Sequence, residues 1–152
     1  MDNKSKPAKT AKIIVLGWGS LIWDPRELKI KNSEWQKDGP NLPIEFARIS
    51  QDGRLTLVLY PKAERVQVLW NYMDVANLDD AIKNLTKRER TTEHMIGFVE
   101  VGTCRFRCSV IPEIKDEIKK WGKMKGADAV IWTDLPPNFE EKLVRSLMKK
   151  TL

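Results

Sequence analysis

The sequence predicts one α+β domain in which antiparallel strands are interspersed with helices. Several apolar runs have strand length, and a short turn signal joins two of them. One longer segment instead places apolar residues at helical spacing. With 152 residues, the chain is long enough to bury one self-sufficient core.

The N-terminal part of the domain is expected to begin with a strand at residues 12–17, where an apolar run ends in Gly17. The chain as far as Pro43 is expected to be irregular, because turn signals interrupt it. Asp24 suits an N-cap and Pro25 the first helical position, so a short helix is expected to begin at Pro25.

Three strand-like runs follow this irregular stretch. They lie at residues 43–50, 54–60 and 65–73. The segment 51–53, Gln-Asp-Gly, is typical of a hairpin turn, so these strands are expected to be antiparallel neighbours. In the first run Ile44, Phe46 and Arg48 share one face. An unpaired charge is costly on an apolar face, so Arg48 is expected to have a carboxylate or structural partner.

A helix is predicted at residues 77–90. Asn77 suits its N-cap, and Asp79 and Asp80 suit the positive end of the helix dipole. Its apolar stripe consists of Leu78, Ala81, Ile82 and Leu85. Further elements are expected in the rest of the chain: strands at 94–102, 103–110 and 127–133, and helices at 112–125 and from about Asn138.

The two cysteines, Cys104 and Cys108, share one face of the strand predicted at 103–110. Four residues of strand span about 13 Å, which is too far for a disulfide bond. A single pair at this spacing with one distant histidine also does not suit zinc. Both cysteines are therefore expected to be small buried apolar residues, and no metal site is predicted.

The net charge of +6 lies partly in one end of the chain, because residues 1–12 hold four lysines and one aspartate, a net +3. Residues 1–11 are therefore predicted to be a flexible basic tail, and residues 12–152 a single domain. No basic stripe favours nucleic-acid binding as the main function. No apolar run has the length of a membrane helix and no secretory signal opens the chain, so no membrane partner and a cytoplasmic location are expected.

The glycine-rich turn in LGWGSLIWDP, residues 16–25, lacks the marks of three familiar sites. Ile22 stands where a dinucleotide fold needs its third glycine, and the Gly-Lys of a Walker loop is missing. Ser20 lacks the flanking glycines of a hydrolase elbow, and His94 is the sole candidate histidine base. Two interpretations stay open: backbone N–H groups that cradle an anion, or a bend beside packed tryptophans.

Glu89 is the second candidate, because it continues the apolar stripe of the predicted helix at its C-terminal end. Burial and the negative end of the dipole both raise the pKa of a carboxyl there. Such a group could move a proton near neutral pH. The alternative is a frayed last turn in which Glu89 pairs with Arg88, Arg90 or another base at the surface.

Together these segments resemble γ-glutamylcyclotransferases of the ChaC type, whose signature is of the form FGYGSLIWNP. The order of the later segments is similar as well: a strand that bears Arg48, then the GRLTLVL and VLWNYMDV runs, and then a helix that ends in Arg88 and Glu89. The resemblance extends over residues 12 to about 101. Trp18 stands where the family usually has tyrosine, and TTEHMIGF replaces the Gly-Gly-Tyr segment that commonly follows the Arg-Glu pair.

The resemblance implies a mixed, mostly antiparallel β-barrel or sheet with flanking helices. It implies an enzyme that cyclises a γ-glutamyl compound to 5-oxoproline and releases an amine, with no cofactor. Glu89 is then the general acid/base. The implied substrate-binding residues are Leu16, Gly17, Trp18, Gly19, Ser20, Leu21 and Arg48. There are two alternatives. One is a small-molecule-binding or structural member of the same fold without activity, in which Trp18 fills the pocket. The other is a basic nucleic-acid-binding module.

Overall fold

A computed structural model describes residues 11–138. Its strands are β1 Ile13–Gly17, β2 Asn41–Ile49, β3 Leu55–Leu59, β4 Arg65–Gln67, β5 Leu69–Tyr72, β6 Ile96–Glu100, β7 Phe106–Arg107 and β8 Ala129–Thr133. Its α-helices are α1 Ser20–Trp23, α2 Leu78–Glu89 and α3 Ile114–Met124, with a 3₁₀ turn at Glu93–Met95. The predicted tail at 1–11, except Ala11, and the helix expected from about Asn138 lie outside the described residues.

The strands form two sheets, one of five strands in the order β5-β1-β8-β6-β7 and one of three in the order β3-β2-β4. All neighbours are antiparallel except β1 and β8. The prediction of a mostly antiparallel α+β domain is therefore confirmed. Over residues 11–138 neither sheet closes into a barrel. Of the two predicted forms, barrel or sheet, the structure therefore has the sheet.

Strand β1 lies inside the larger sheet, and both of its faces are buried. Ile13 and Val15 pack in the core that includes α2, whereas Ile14 and Leu16 pack in the core that includes α3 and the smaller sheet. All four side chains are at most 1% exposed. A strand covered on both faces needs a continuous apolar run, which explains the Ile-Ile-Val-Leu sequence. The glycine turn that follows is thus attached to the most buried strand of the domain.

The predicted hairpin is confirmed. β2 and β3 are antiparallel, and the Ser50 N–H donates to the Arg54 carbonyl at 2.8 Å across the turn. Gly53 has φ +83°, a conformation that suits glycine in a tight turn. The α2 prediction holds equally well, since the Asn77 side chain accepts a hydrogen bond from the Asp80 N–H at 2.8 Å.

The run at 65–73, expected to be one strand, is divided between the two sheets. Its first part, β4, pairs with β2, and its second part, β5, pairs with β1. Between them the Val68 carbonyl accepts from Gly39 N–H, and the Val68 N–H donates to the Pro40 carbonyl, both at 3.1 Å. These two bonds hold Val68 to a neighbouring loop at the point where the chain passes from one sheet to the other.

Two local predictions are wrong. The short helix precedes Pro25, and Asp24 is its C-cap because its N–H donates to the Ser20 carbonyl at 2.8 Å. The cysteine segment is a strand only at β7, so Cys104 lies in a turn and is exposed, whereas Cys108 is buried as expected. Both thiols are free, and burial raises the pKa of Cys108 to about 12.

We expect Gly97→Ala to destabilise the fold, because Gly97 faces the fully buried ring of Trp132 across β6 and β8. A methyl group at Gly97 would lie 2.3 Å from the indole. Overpacking of this kind costs about 1–3 kcal/mol of unfolding free energy, measurable by urea denaturation. Gly102→Ala is the matched control, because nothing lies within 4 Å of the corresponding position. Equal stability of the two variants would contradict this packing.

Candidate functional site

A cavity of about 310 Å³ opens between the end of β1, the helix α1, the end of α2 and the β2–β3 hairpin. It is lined by Leu16, Trp18, Gly19, Ser20, Leu21, Trp23, Phe46, Arg48, Ser50, Arg54, Leu55, Thr56, Leu57, Val58, Glu89, Thr133 and Leu135. Its walls come from both sheets, so the site is a product of the tertiary fold. The volume is at the lower end of the range for small-molecule sites, about 300–1,000 Å³.

Seven of the eight residues implied as site residues line this one cavity. They are Leu16, Trp18, Gly19, Ser20, Leu21, Arg48 and Glu89. The exception is Gly17, which is buried behind the turn. A methyl group on Gly17 would lie 2.5 Å from the ring of Trp35, so this glycine allows the turn to pack against the core. The interpretation of the turn as a bend beside packed tryptophans therefore applies to Gly17.

Gly19 gives the turn its shape, because its φ of +63° and ψ of −142° are readily adopted only by glycine. Next to it, the indole N–H of Trp18 donates to the Leu57 carbonyl on β3 at 3.2 Å. Leu57 also lies against Gly19. Trp18 therefore joins the turn to the hairpin and forms one wall of the cavity. The cavity stays open, so the alternative in which Trp18 fills the pocket does not apply.

Glu89 is the last residue of α2, and its side chain is 17% exposed. Ala81, Ile82 and Leu85 are buried on the same helix, as the apolar stripe predicts, and they hold α2 against the larger sheet. The helix stops at Arg90, whose φ of +53° is left-handed. Glu89 is consequently held at a well-defined end of the helix, facing the cavity.

Arg88 is the residue whose importance the sequence did not reveal. Its side chain is only 5% exposed. Its Nε and Nη2 donate to the Asp24 carbonyl at 3.1 and 2.6 Å, and Nη2 also lies 3.4 Å from Ser20 Oγ. Its Nη1 donates to Glu89 Oε1 at 3.2 Å. The expected alternative pairing of Glu89 with Arg88 does occur, but the pair is buried and joins α2 to α1.

The electrostatic environment of Glu89 agrees with the predicted direction. Burial raises the pKa of the Glu89 carboxyl above its ordinary value, and the charges of Arg88 and Arg26 oppose this shift. Burial is the larger effect. The carboxyl therefore takes up and releases a proton at a pH closer to neutrality than an exposed glutamate does, which is what proton transfer requires.

Arg48 lines the opposite wall, where a bulge between Phe46 and Arg48 shifts the register of β2 against β3. Its Nη1 donates to the Pro136 carbonyl at 2.7 Å, the structural partner that was expected as one alternative. Within residues 11–138 its other guanidinium nitrogens have no hydrogen bond. Desolvation lowers the pKa of Arg48, which nevertheless stays a cation near neutral pH.

The hairpin contributes lining residues that the sequence analysis did not single out, among them Phe46, Arg54 and Leu55. Trp23, at the end of α1, was also missed. A signal existed for the hairpin residues, since Phe46 alternates with Arg48 on β2 and Leu55 with Leu57 on β3. Only the motif resemblance, which implied Arg48 as a substrate-binding residue, indicated that this face would meet the glycine turn.

Other candidate chemistry is not supported within residues 11–138. His94 is exposed in the 3₁₀ turn and does not line the cavity. The described side chains include no cluster of three histidine, cysteine or acidic residues that could hold a metal ion. None of the described helices combines the length and apolar character needed to cross a membrane.

Comparisons with protein-family models, with curated proteins and with solved structures give no significant match. The chemical interpretation of the cavity therefore depends on its own residues and on the motif resemblance. Those two lines of support concern the same two elements, the glycine turn and the end of α2.

We expect Arg88→Met to destabilise the protein by about 3–5 kcal/mol, because it leaves the buried Glu89 carboxylate without its counter-charge. It also removes both hydrogen bonds to the Asp24 carbonyl. Urea denaturation at neutral pH measures the change. Lys87→Met is the matched control, an exposed cation in the same helical turn, with an expected change within about 0.5 kcal/mol. Similar losses for both variants would contradict a special role of Arg88.

Stability should also depend on the protonation of Glu89. Because its pKa is raised in the folded state, the protonated carboxyl contributes stability that is complete below the ordinary glutamate pKa. That contribution is lost as pH rises through the raised pKa. Glu89→Gln keeps a neutral group, so wild-type stability minus variant stability should fall as the pH rises above the ordinary glutamate pKa of about 4 and through the raised pKa. Urea denaturation across this range measures the difference, and a rise with pH would refute the assignment.

Proposed function

We propose that this protein is a γ-glutamylcyclotransferase-like enzyme, which converts a γ-glutamyl compound to 5-oxoproline and a free amine. One observation carries the proposal: Glu89 and the glycine turn, 68 or more residues apart in the sequence, line the same cavity. These are the two parts of the site that the motif resemblance implies. Arg88 supports their association, since it contacts both Ser20 and Glu89.

The proposed reaction needs one proton acceptor and no further reactant. Ionised Glu89 takes a proton from the α-ammonium group of the substrate, and the freed amine attacks the substrate's own γ-carbonyl carbon. A C–N bond to the α-nitrogen forms, and the amide C–N bond to the leaving amine breaks. Glu89 then returns the proton to the departing nitrogen. The second proton that the attacking nitrogen loses as it becomes the lactam N–H passes the same way, so the amine leaves as an ammonium ion. The raised pKa of Glu89 makes both transfers feasible near neutral pH.

Charge complementarity supports the binding of a γ-glutamyl compound that carries a carboxylate. Arg48 is a half-buried cation on the cavity wall and suits a substrate carboxylate. Backbone N–H groups of the turn at 17–21 are suited to oppose the negative charge that develops on the γ-carbonyl oxygen. Because nucleophile and electrophile belong to one molecule, the site mainly has to hold a reactive geometry, which can supply several kcal/mol of the barrier.

A second candidate is a binding protein of the same kind without catalytic activity. One observation favours it: the indole N–H of Trp18 is already engaged by the Leu57 carbonyl. Trp18 stands where the family usually has tyrosine, and it therefore offers the substrate no hydroxyl group. Under this alternative the cavity binds a γ-glutamyl compound, and no 5-oxoproline forms.

We expect Glu89→Gln to lower kcat for 5-oxoproline formation by about a hundredfold to ten-thousandfold, because the amide cannot accept the ammonium proton. Mass spectrometry of 5-oxoproline after incubation with glutathione, γ-glutamyl dipeptides and γ-glutamyl amines measures this. Glu27→Gln is the matched control, because Glu27 is exposed and does not line the cavity.

The experiment also separates the two candidates. Wild-type turnover that is lost in Glu89→Gln and kept in Glu27→Gln supports the enzyme. Binding of γ-glutamyl compounds by calorimetry without any 5-oxoproline supports the binding protein. Equal turnover in both variants would exclude Glu89 as the acid/base.

A further inference from the structure

Exposed apolar side chains gather at the mouth of the cavity. Six large apolar side chains among the described residues are exposed, and three of them line this cavity. They are Trp23, Phe46 and Leu55, at 75%, 52% and 51% exposure. Single exposed apolar residues are ordinary, but a cluster at the mouth of a cavity marks a surface suited to an apolar group. We call these three residues the apolar rim.

The register of the hairpin places the apolar rim relative to the glycine turn. Leu57 contacts Gly19, so this part of β3 lies at the turn. Phe46 is paired with Leu57, whereas Leu55 is paired with Ile49, two residues closer to the hairpin end. A ligand whose head lies at the turn and at Glu89 therefore extends along the hairpin past Phe46 towards Leu55. Trp23, at the end of α1, lines the same cavity.

Among residues 11–138, the charged side chains that line this region are mainly positive. Arg48 and Arg54 line the cavity, and Glu89, its acidic lining residue, is paired with Arg88. Arg54 is partly offset by Asp52, 3.3 Å away and exposed like Arg54 itself. Arg48 is hydrogen-bonded to a neutral carbonyl and keeps its charge. This wall favours a carboxylate and disfavours an ammonium group.

We propose that the leaving amine carries a bulky apolar side chain and a carboxylate, so that the preferred substrates are γ-glutamyl derivatives of large apolar amino acids. This inference rests on the proposed function for the position of the γ-glutamyl head. The apolar rim receives the side chain, and Arg48 faces the carboxylate of the leaving group. γ-Glutamyl polyamines bring a cation to this wall and are poor substrates.

Four matched compounds test the proposal: γ-glutamyl-phenylalanine, γ-glutamyl-glycine, γ-glutamyl-phenethylamine and γ-glutamyl-putrescine. The second lacks the apolar side chain, the third lacks the carboxylate, and the fourth adds a cation. We expect kcat/KM for the phenylalanine compound to exceed each of the others by about tenfold or more. Equal values for the phenylalanine and glycine compounds, or a preference for the putrescine compound, would overturn the proposal.

Variants assign the selectivity to named residues. Phe46→Ser should lower the ratio of kcat/KM for γ-glutamyl-phenylalanine over γ-glutamyl-glycine by at least about threefold. Phe106→Ser, a similarly exposed phenylalanine outside the cavity, should leave the ratio as it is. Arg48→Met should reduce the preference for the phenylalanine compound over phenethylamine, and Arg105→Met should not. Leu55→Ser repeats the rim test if Phe46→Ser does not fold.

The failure of this proposal differs from the failure of the proposed function. If neither these compounds nor glutathione yields 5-oxoproline, cyclisation is refuted, and calorimetric affinities of the four compounds then decide the selectivity. Tighter binding of the phenylalanine compound, weakened towards the glycine value in Phe46→Ser, supports the apolar rim. Equal affinities, or no binding of either compound, overturn it.

Discussion

The arrangement of the cavity depends on one buried guanidinium group. A charge removed from water is stable only when polar partners surround it. Arg88 has three such partners on two segments: the Ser20 hydroxyl and the Asp24 carbonyl at α1, and the Glu89 carboxylate on α2. No apolar contact would set the end of α2 against α1 with the same directionality. Arg88 thus both holds Glu89 beside the glycine turn and compensates the charge of its carboxylate.

The strands and helices around this interaction are held together by the burial of apolar side chains. β1 is covered on both faces, α2 and α3 lie in separate cores, and the turn that follows β1 begins at the most buried strand. A rigid strand that ends in a glycine turn can present backbone groups to a ligand without rearrangement. The proposed chemistry makes use of that rigidity, since it depends on holding one flexible molecule in a reactive conformation.

Local sequence patterns predicted the strands, helices and turns better than they predicted which of them lie side by side. The buried run of β1, the Asn77 cap and the 51–53 turn are each determined by neighbouring residues, and all three agree with the structure. The division of the run at 65–73 depends on loop residues 39 and 40, which no periodicity connects with Val68. For the site, Glu89 was found because it continued an apolar stripe. Arg88 was expected only as a surface partner of Glu89, because an arginine beside a helical stripe has no local mark of burial.

The crossing at Val68 has a consequence for the geometry of the cavity. The turn follows β1 of the larger sheet and Glu89 ends α2, which packs on that sheet, whereas Phe46, Arg48 and Leu55 belong to the smaller sheet. β4 and β5 join the two sheets covalently through this single residue, and Gly39 lies so close that a methyl group there would be 2.2 Å from the Val68 carbonyl oxygen. Side-chain bulk at Gly39 would therefore press on Val68, the residue that connects the sheets behind the two walls, without replacing any residue that lines the cavity.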